Sequence, residues 1–180
     1  MILTGAEIEK QVLSGKVHIS PFLKGQVNPN SYNFRLSPHL LEITDSIIEP
    51  REMSRWNEIE IPEEGYLLYP KRLYLGCTVE EIGSDEYVPT LMGRSSLGRL
   101  GLFLQITADL GQLGTCHSWT LELKVVQPLM VYPKMVVGQV CFWNVDGKRD
   151  CLYNGKYHGD QRPRSSELYQ EVVSHDSHGK

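Results

Sequence analysis

Beyond residue 15 the apolar residues of this chain never hold a helical spacing for long. They come as short runs over 59–61, 66–69, 73–79, 88–92, 102–107, 119–126, 130–132 and 136–145, each broken by Pro, Gly, Asp or Ser. A parallel α/β sheet needs an amphipathic helix between successive strands, and no such pattern separates these runs. Strands of this length with turn residues between them, about ten in all, specify an antiparallel architecture. The predicted fold class is therefore all-β, a distorted barrel or jelly roll with a few short helices.

The first residues are the exception. Thr4 and Glu7 have capping-box spacing ahead of Ile8, Val12 and Leu13, which predicts a short amphipathic helix over 5–14 ending at Gly15. Residues 17–20 then read as extended before Pro21, and Tyr32, Phe34 and Leu36 alternate with polar neighbours as a half-buried strand does. Residues 40–43 make the next strand, while Trp56 and its polar neighbours are expected in a connecting loop. No internal repeat or low-complexity linker interrupts the chain, so one domain over 1–180 is expected, with 153–180 as a C-terminal lid and tail. Within that tail, 165–173 offer a helical turn or two and 174–180 are polar.

Composition excludes several functional classes. With 41% hydrophobic residues in 180, the chain has the material for a sizeable core. Its formal charge of −4 gives no electrostatic footprint for nucleic acid, so an anionic ligand must be held by locally clustered cations. Cys77, Cys116, Cys141 and Cys151 match neither a metal knuckle nor a disulfide framework and are expected as reduced core thiols. Neither a basic leader nor an apolar run long enough to span a bilayer is present, which leads to the expectation of a soluble cytoplasmic protein with no membrane partner.

Two constellations carry chemistry. Gly93-Arg94-Ser95-Ser96-Leu97-Gly98-Arg99-Leu100-Gly101-Leu102 frames two cations and two hydroxyls with three glycines. Taken alone it fits either a solvated turn or a phosphate cradle, in which Ser95 or Ser96 caps a helical turn whose N–H groups face an anion. In the strand Trp119-Thr120-Leu121-Glu122-Leu123-Lys124-Val125, Glu122 and Lys124 share the face opposite Leu121 and Leu123. That places Glu122 either toward solvent or in a cleft as a general acid and base.

Other chemistries find little support. The chain has neither the His-x-Glu nor the Pro-Cys-x-x-Cys of a zinc nucleobase deaminase, so no zinc is expected. Each of the six histidines reads as a surface residue rather than a ligand. Cys116 and His117 are adjacent in an extended segment, point to opposite faces and do not make a nucleophile–base pair. Asp109, Asp150 and Asp160 read as turn or loop residues.

In order along the chain, 93–102, Thr107-Ala108 and Thr120-Leu121-Glu122-Leu123 resemble the dCTP deaminase branch of the trimeric dUTPase superfamily. The N-terminal helix, Asn28-Pro29-Asn30-Ser31-Tyr32-Asn33-Phe34-Arg35-Leu36 and Tyr153-Asn154-Gly155-Lys156-Tyr157 extend the resemblance over most of the chain. It implies a dUTPase-like β-barrel, a homotrimer with active sites at subunit interfaces, and hydrolytic deamination of dCTP to dUTP and ammonia. By resemblance, Glu122 is the base and acid, assisted by Ser95 and Arg99, with Arg94 and Ser96 on phosphate. Thr107 and Ala108 would read the pyrimidine edge, and Tyr153, Lys156, Tyr157, Asp160 and Gln161 would close over the nucleotide. Mg²⁺ would bind through the phosphates rather than through protein side chains.

Three positions depart from the family pattern. Gln112 stands where relatives usually have the Asp tied to the water that attacks the triphosphate, Asn33 where the first motif more often has Asp, and Asp160 where the lid usually has Gln. An amide cannot serve as a carboxylate base, so little dUTP hydrolysis is expected. The same departures leave open a deaminase of CTP, dCMP or CMP, or a nucleotide-binding regulator without turnover. A dUTP pyrophosphatase is the least favoured.

Overall fold

The computed structural model describes residues 1–104, 108–155, 159 and 161–171. Helix α1 (Gly5–Leu13) starts where the capping pattern places it, the Thr4 hydroxyl accepting the Glu7 N–H at 3.3 Å, and stops at Ser14 before Gly15, whose φ of +75° suits glycine. Ile8 anchors the helix and is fully buried.

Eleven strands follow among the described residues: β1 (His18–Ser20), β2 (Tyr32–Arg35), β3 (His39–Ile43), β4 (Trp56–Glu60), β5 (Tyr66–Leu68), β6 (Tyr74–Gly83), β7 (Tyr87–Gly93), β8 (Leu102–Phe103), β9 (Cys116–Val125), β10 (Leu129–Val131) and β11 (Val136–Asn144). A short helix α2 (Ser95–Gly98) joins β7 to β8. One sheet runs β4-β3-β6-β9-β8, with β1 added on β6; a second runs β2-β11-β7, and β5 pairs with β10. Every strand pairing is antiparallel, the jelly-roll-like arrangement expected from the short runs.

Residues from the facing strands fill the core. Tyr32 and Phe34 of β2, Leu121 and Leu123 of β9, and Val140 and Phe142 of β11 are fully buried within one cluster. Burying each such side chain contributes roughly 1.5–3 kcal/mol. The period-two pattern of β9 holds: Glu122 is half-buried and Lys124 exposed between the buried Leu121, Leu123 and Val125.

The register of β6 against β9 shifts between Cys77 and Glu81. In that interval the Thr78 hydroxyl accepts the Trp119 N–H at 2.9 Å and donates to the Glu80 carbonyl at 2.7 Å. Glu80, with no exposed surface, accepts from Arg35 Nε at 2.7 Å, the Arg35 backbone N–H at 2.9 Å and Gln26 Nε2 at 3.2 Å. A buried carboxylate is tolerable only with such a set of donors.

Two expectations are corrected. Trp56 opens strand β4 and lies opposite Ile43, since an edge strand beside β3 needs one tolerable face rather than an apolar run. The cysteines are free thiols, but only Cys77 and Cys141 are buried; Cys116 is half-buried and Cys151 exposed. The structure also contains a local likeness not read from the sequence. Tyr69-Pro70-Lys71 and Tyr132-Pro133-Lys134 each follow one strand of the β5–β10 pair, and both lysines have left-handed backbone, at φ 64° and 61°.

Candidate active site

Strand β9 organises the site. Its register sets Glu122 opposite Leu75 and Thr120 opposite Cys77, so these side chains share the face of the large sheet turned away from the main core. Leu41, Leu75 and Cys77 are buried there without belonging to the core cluster. Part of their cover is the C-terminal segment, whose Arg164 N–H donates to Thr120 Oγ1 at 3.2 Å and whose Pro163 and Ser165 are buried.

Between that segment, the loop over 108–112 and β9 lies a cavity of about 750 Å³. Glu122, Thr120 and Lys124 enter it from β9, Leu73 and Leu75 form an apolar wall, and Ala108, Gln112 and Tyr153 close it from the loops. Glu122 is the single carboxylate among the described residues that line it. A cleft with an apolar wall and one carboxylate on a rigid strand is suited to a flat polar ring and to acid–base work on it.

Of the residues singled out in the sequence, Glu122, Ala108 and Tyr153 are thus brought together. Gln161 is not, since its side chain donates to Glu81 at 2.9 Å. Thr107, Lys156, Tyr157 and Asp160 lie outside the described residues.

The phosphate-cradle residues stand apart. Arg94 takes the cap position of α2 without a side-chain cap, so neither Ser95 nor Ser96 caps it; both serines lie within the helix and are exposed. The chain then turns at Gly101, with φ of +84° and Val126 packed against its α-carbon, and reaches the sheet at Leu102, opposite Val125. Helix α2 therefore sits past the Val126 end of β9, and four residues of strand separate Val126 from Glu122 by about 13 Å. None of Arg94, Ser95, Ser96 and Arg99 lines the cavity, and among the described residues their side chains form no hydrogen bond or ion pair. Leu100, Phe103 and Val126 beside them are exposed.

Electrostatics around the cavity follow from burial. Cys77, beneath the C-terminal segment, has its thiol pushed up to about 11 by desolvation, opposed by a hydrogen bond from Ser37 and by the Arg162 charge. His117, expected at the surface, is instead 8% exposed and lines the cavity, its ring 4.5 Å from that of Trp119. Thr120 could have been found by its shared parity with Glu122. No sequence signal marks His117, because alternation assigns it to the apolar side of β9.

The dCTP deaminase-like family model matches residues 2–145. A protein of Hathewaya histolytica named dCTP deaminase, dUMP-forming, is 42% identical over 171 residues, covering 95% of this chain and 99% of that one. A protein of Clostridium acetobutylicum with the same name is 38% identical over 174 residues, covering 97% and 100%. Among solved structures, the 2'-deoxycytidine 5'-triphosphate deaminase of Agrobacterium tumefaciens superposes with a TM-score of 0.63 at 21% identity, over 78% of this chain and 47% of that one, and shares the fold. Among the described residues no helix is long and apolar enough to cross a membrane.

Proposed function

Because the chain belongs to the dCTP deaminase-like family, we propose that it deaminates the cytosine ring of dCTP and carries the nucleotide on to dUMP. The dUTP product expected from Gln112 is set aside, since the relatives at about 40% identity over nearly the whole chain are named dUMP-forming. The observation that carries the deaminase reading is Glu122, the single carboxylate among the described lining residues, fixed in mid-strand beside Leu75.

In the deamination, Glu122 takes a proton from water as the oxygen attacks C4 and delivers it to N3. A proton from the new hydroxyl then returns through the carboxylate to the amino group, which leaves as ammonia. One carboxylate serves both directions, and such acid–base help contributes about 10²–10⁴-fold. The apolar wall at Leu73 and Leu75 restricts water to the reacting position.

Ser95, Arg99, Arg94 and Ser96 would complete the site from a partner subunit in a homotrimer. Their distance from Glu122 within one chain, and the exposed Leu100, Phe103 and Val126 beside them, support that assembly. Ala108 and Thr107 would read the base, and Tyr153, Lys156, Tyr157, Asp160 and Gln161 belong to the closing segment. Mg²⁺ would enter bridged by phosphate oxygens. One lining carboxylate is too few for a protein-held ion, and the donor set fits a metal carried by the nucleotide. The setting proposed is cytoplasmic.

Incubation of the protein with dCTP, CTP, dCMP and CMP, with ammonia and pyrophosphate assayed separately, tests the reading. Ammonia from dCTP that disappears in Glu122→Gln is expected; ammonia from CMP alone would overturn it.

A further inference from the structure

Ending at dUMP requires two hydrolyses of different kinds: water displaces ammonia at C4, and a second water attacks the α-phosphorus. Glu122 is occupied at C4, where the base must sit against it. A phosphoanhydride several bonds away needs its own proton acceptor, because a general base must lie within hydrogen-bond reach of the water it activates.

We propose that His117 is that second base, an inference that rests on the dUMP-forming reading. It is the single imidazole among the described residues lining the cavity, and an imidazole accepts protons effectively near neutrality. Gln112, also on the wall, carries a neutral amide that cannot take a proton.

His117 and Glu122 line the same cavity. The two lie five residues apart on β9, about 16 Å along the strand. By register His117 faces Ile82, on the side of β9 opposite Glu122. Residues of both faces of β9 nevertheless line the cavity, Thr120 and Glu122 from one and His117 and Trp119 from the other. A nucleotide with its base at Glu122 and its phosphates directed along the strand would span that separation with a side chain reaching in at each end.

The ring is also held. It packs at 4.5 Å against Trp119, tilted 54°, and Trp119 is pinned by its Nε1–H to the Ile82 carbonyl at 3.0 Å. Before it, Gln112 and Thr115 form a tight turn in which the Gln112 carbonyl accepts the Thr115 hydroxyl at 2.6 Å, fixing where β9 begins. In the proposed step His117 takes a proton from water as the new oxygen–phosphorus bond forms. The bond from the α-phosphorus to the bridging oxygen breaks, pyrophosphate leaves, and the imidazolium returns its proton to solvent.

The test is the ratio of pyrophosphate to ammonia released from dCTP by the full chain, in wild type and in His117→Asn and His117→Gln, with dUTP and dUMP separated chromatographically. The expected result is a ratio lowered by about 10²-fold or more in both variants, with dUTP accumulating in place of dUMP. An unchanged ratio overturns the role of His117 while leaving the dUMP-forming reading intact. Parallel loss of ammonia and pyrophosphate in both variants overturns it as well, since that is what a merely structural residue gives. A wild-type protein that stops at dUTP overturns the product reading itself.

Discussion

Val126 donates its backbone N–H to the carbonyl of Gly101 at 3.1 Å, and this bond fixes how far the cations of 94–99 stand from the carboxylate of Glu122. It holds α2 past one end of β9 while Glu122 occupies the middle of the strand. The proposed site, which uses both, would draw them from different copies of the chain.

Mixed trimers therefore give the first prediction. Glu122→Gln and Arg99→Ala should each be inactive alone, yet after subunit exchange a 1:1 mixture should recover about a quarter of wild-type ammonia release, the share of interfaces that pair two intact residues. A mixture as inactive as its components would show that one chain supplies the whole site.

A second prediction concerns the buried Glu80–Arg35 pair. Arg35→Met removes the guanidinium and leaves a carboxylate with no exposed surface without its cationic partner, so unfolding stability should fall by about 3 kcal/mol, the backbone N–H of residue 35 and Gln26 Nε2 still donating to it. Replacing both residues by apolar ones of similar volume should recover most of the loss. Urea denaturation of the single and double variants measures it.

The Tyr-Pro-Lys turns give a third. Lys71 and Lys134 hold φ of 64° and 61°, a region that costs a side-chain-bearing residue roughly 1–2 kcal/mol. Lys71→Gly and Lys134→Gly should each stabilise the protein by about 0.5–1 kcal/mol after the greater unfolded-state freedom of glycine is subtracted. Thermal melting should rise by roughly 1–4 °C per substitution.

Thiol reactivity supplies a fourth. With its thiol pushed up to about 11, Cys77 is ionised at pH 8 in only about one molecule in 10³, whereas Cys151 is exposed. Iodoacetamide at pH 8 should label Cys151 first and Cys77 last, read by peptide mass. Because the folded value lies above the ordinary 9.0, the stabilisation from keeping the Cys77 thiol neutral is complete below about pH 9 and lost as pH rises toward 11. Cys77→Ala should flatten that decline.

Much of the fold was legible because strands announce themselves by period and turns by residue type. Helix α1 lies where Thr4 and Glu7 placed it, and the face of β9 that carries Glu122 followed from Leu121 and Leu123 alone. Trp56 does not announce a strand, because an edge strand is half solvated and its polar neighbours look like a loop. Ser95 or Ser96 suits a cap because hydroxyls favour that position, yet Arg94 takes it.

The sequence by itself determined the all-β class, the family and the side of β9 on which Glu122 stands, since each depends on residues close together in the chain. Tertiary structure alone decided what meets Glu122. Cross-strand register put Leu75 beside it, the C-terminal segment roofed it at Thr120, and His117 lines the same cavity from the other face of β9. Those juxtapositions depend on the pairing of distant strands, which local pattern cannot encode. The separation of Arg99 from Glu122 likewise became visible only once the Gly101–Val126 bond fixed the approach of α2 to the sheet.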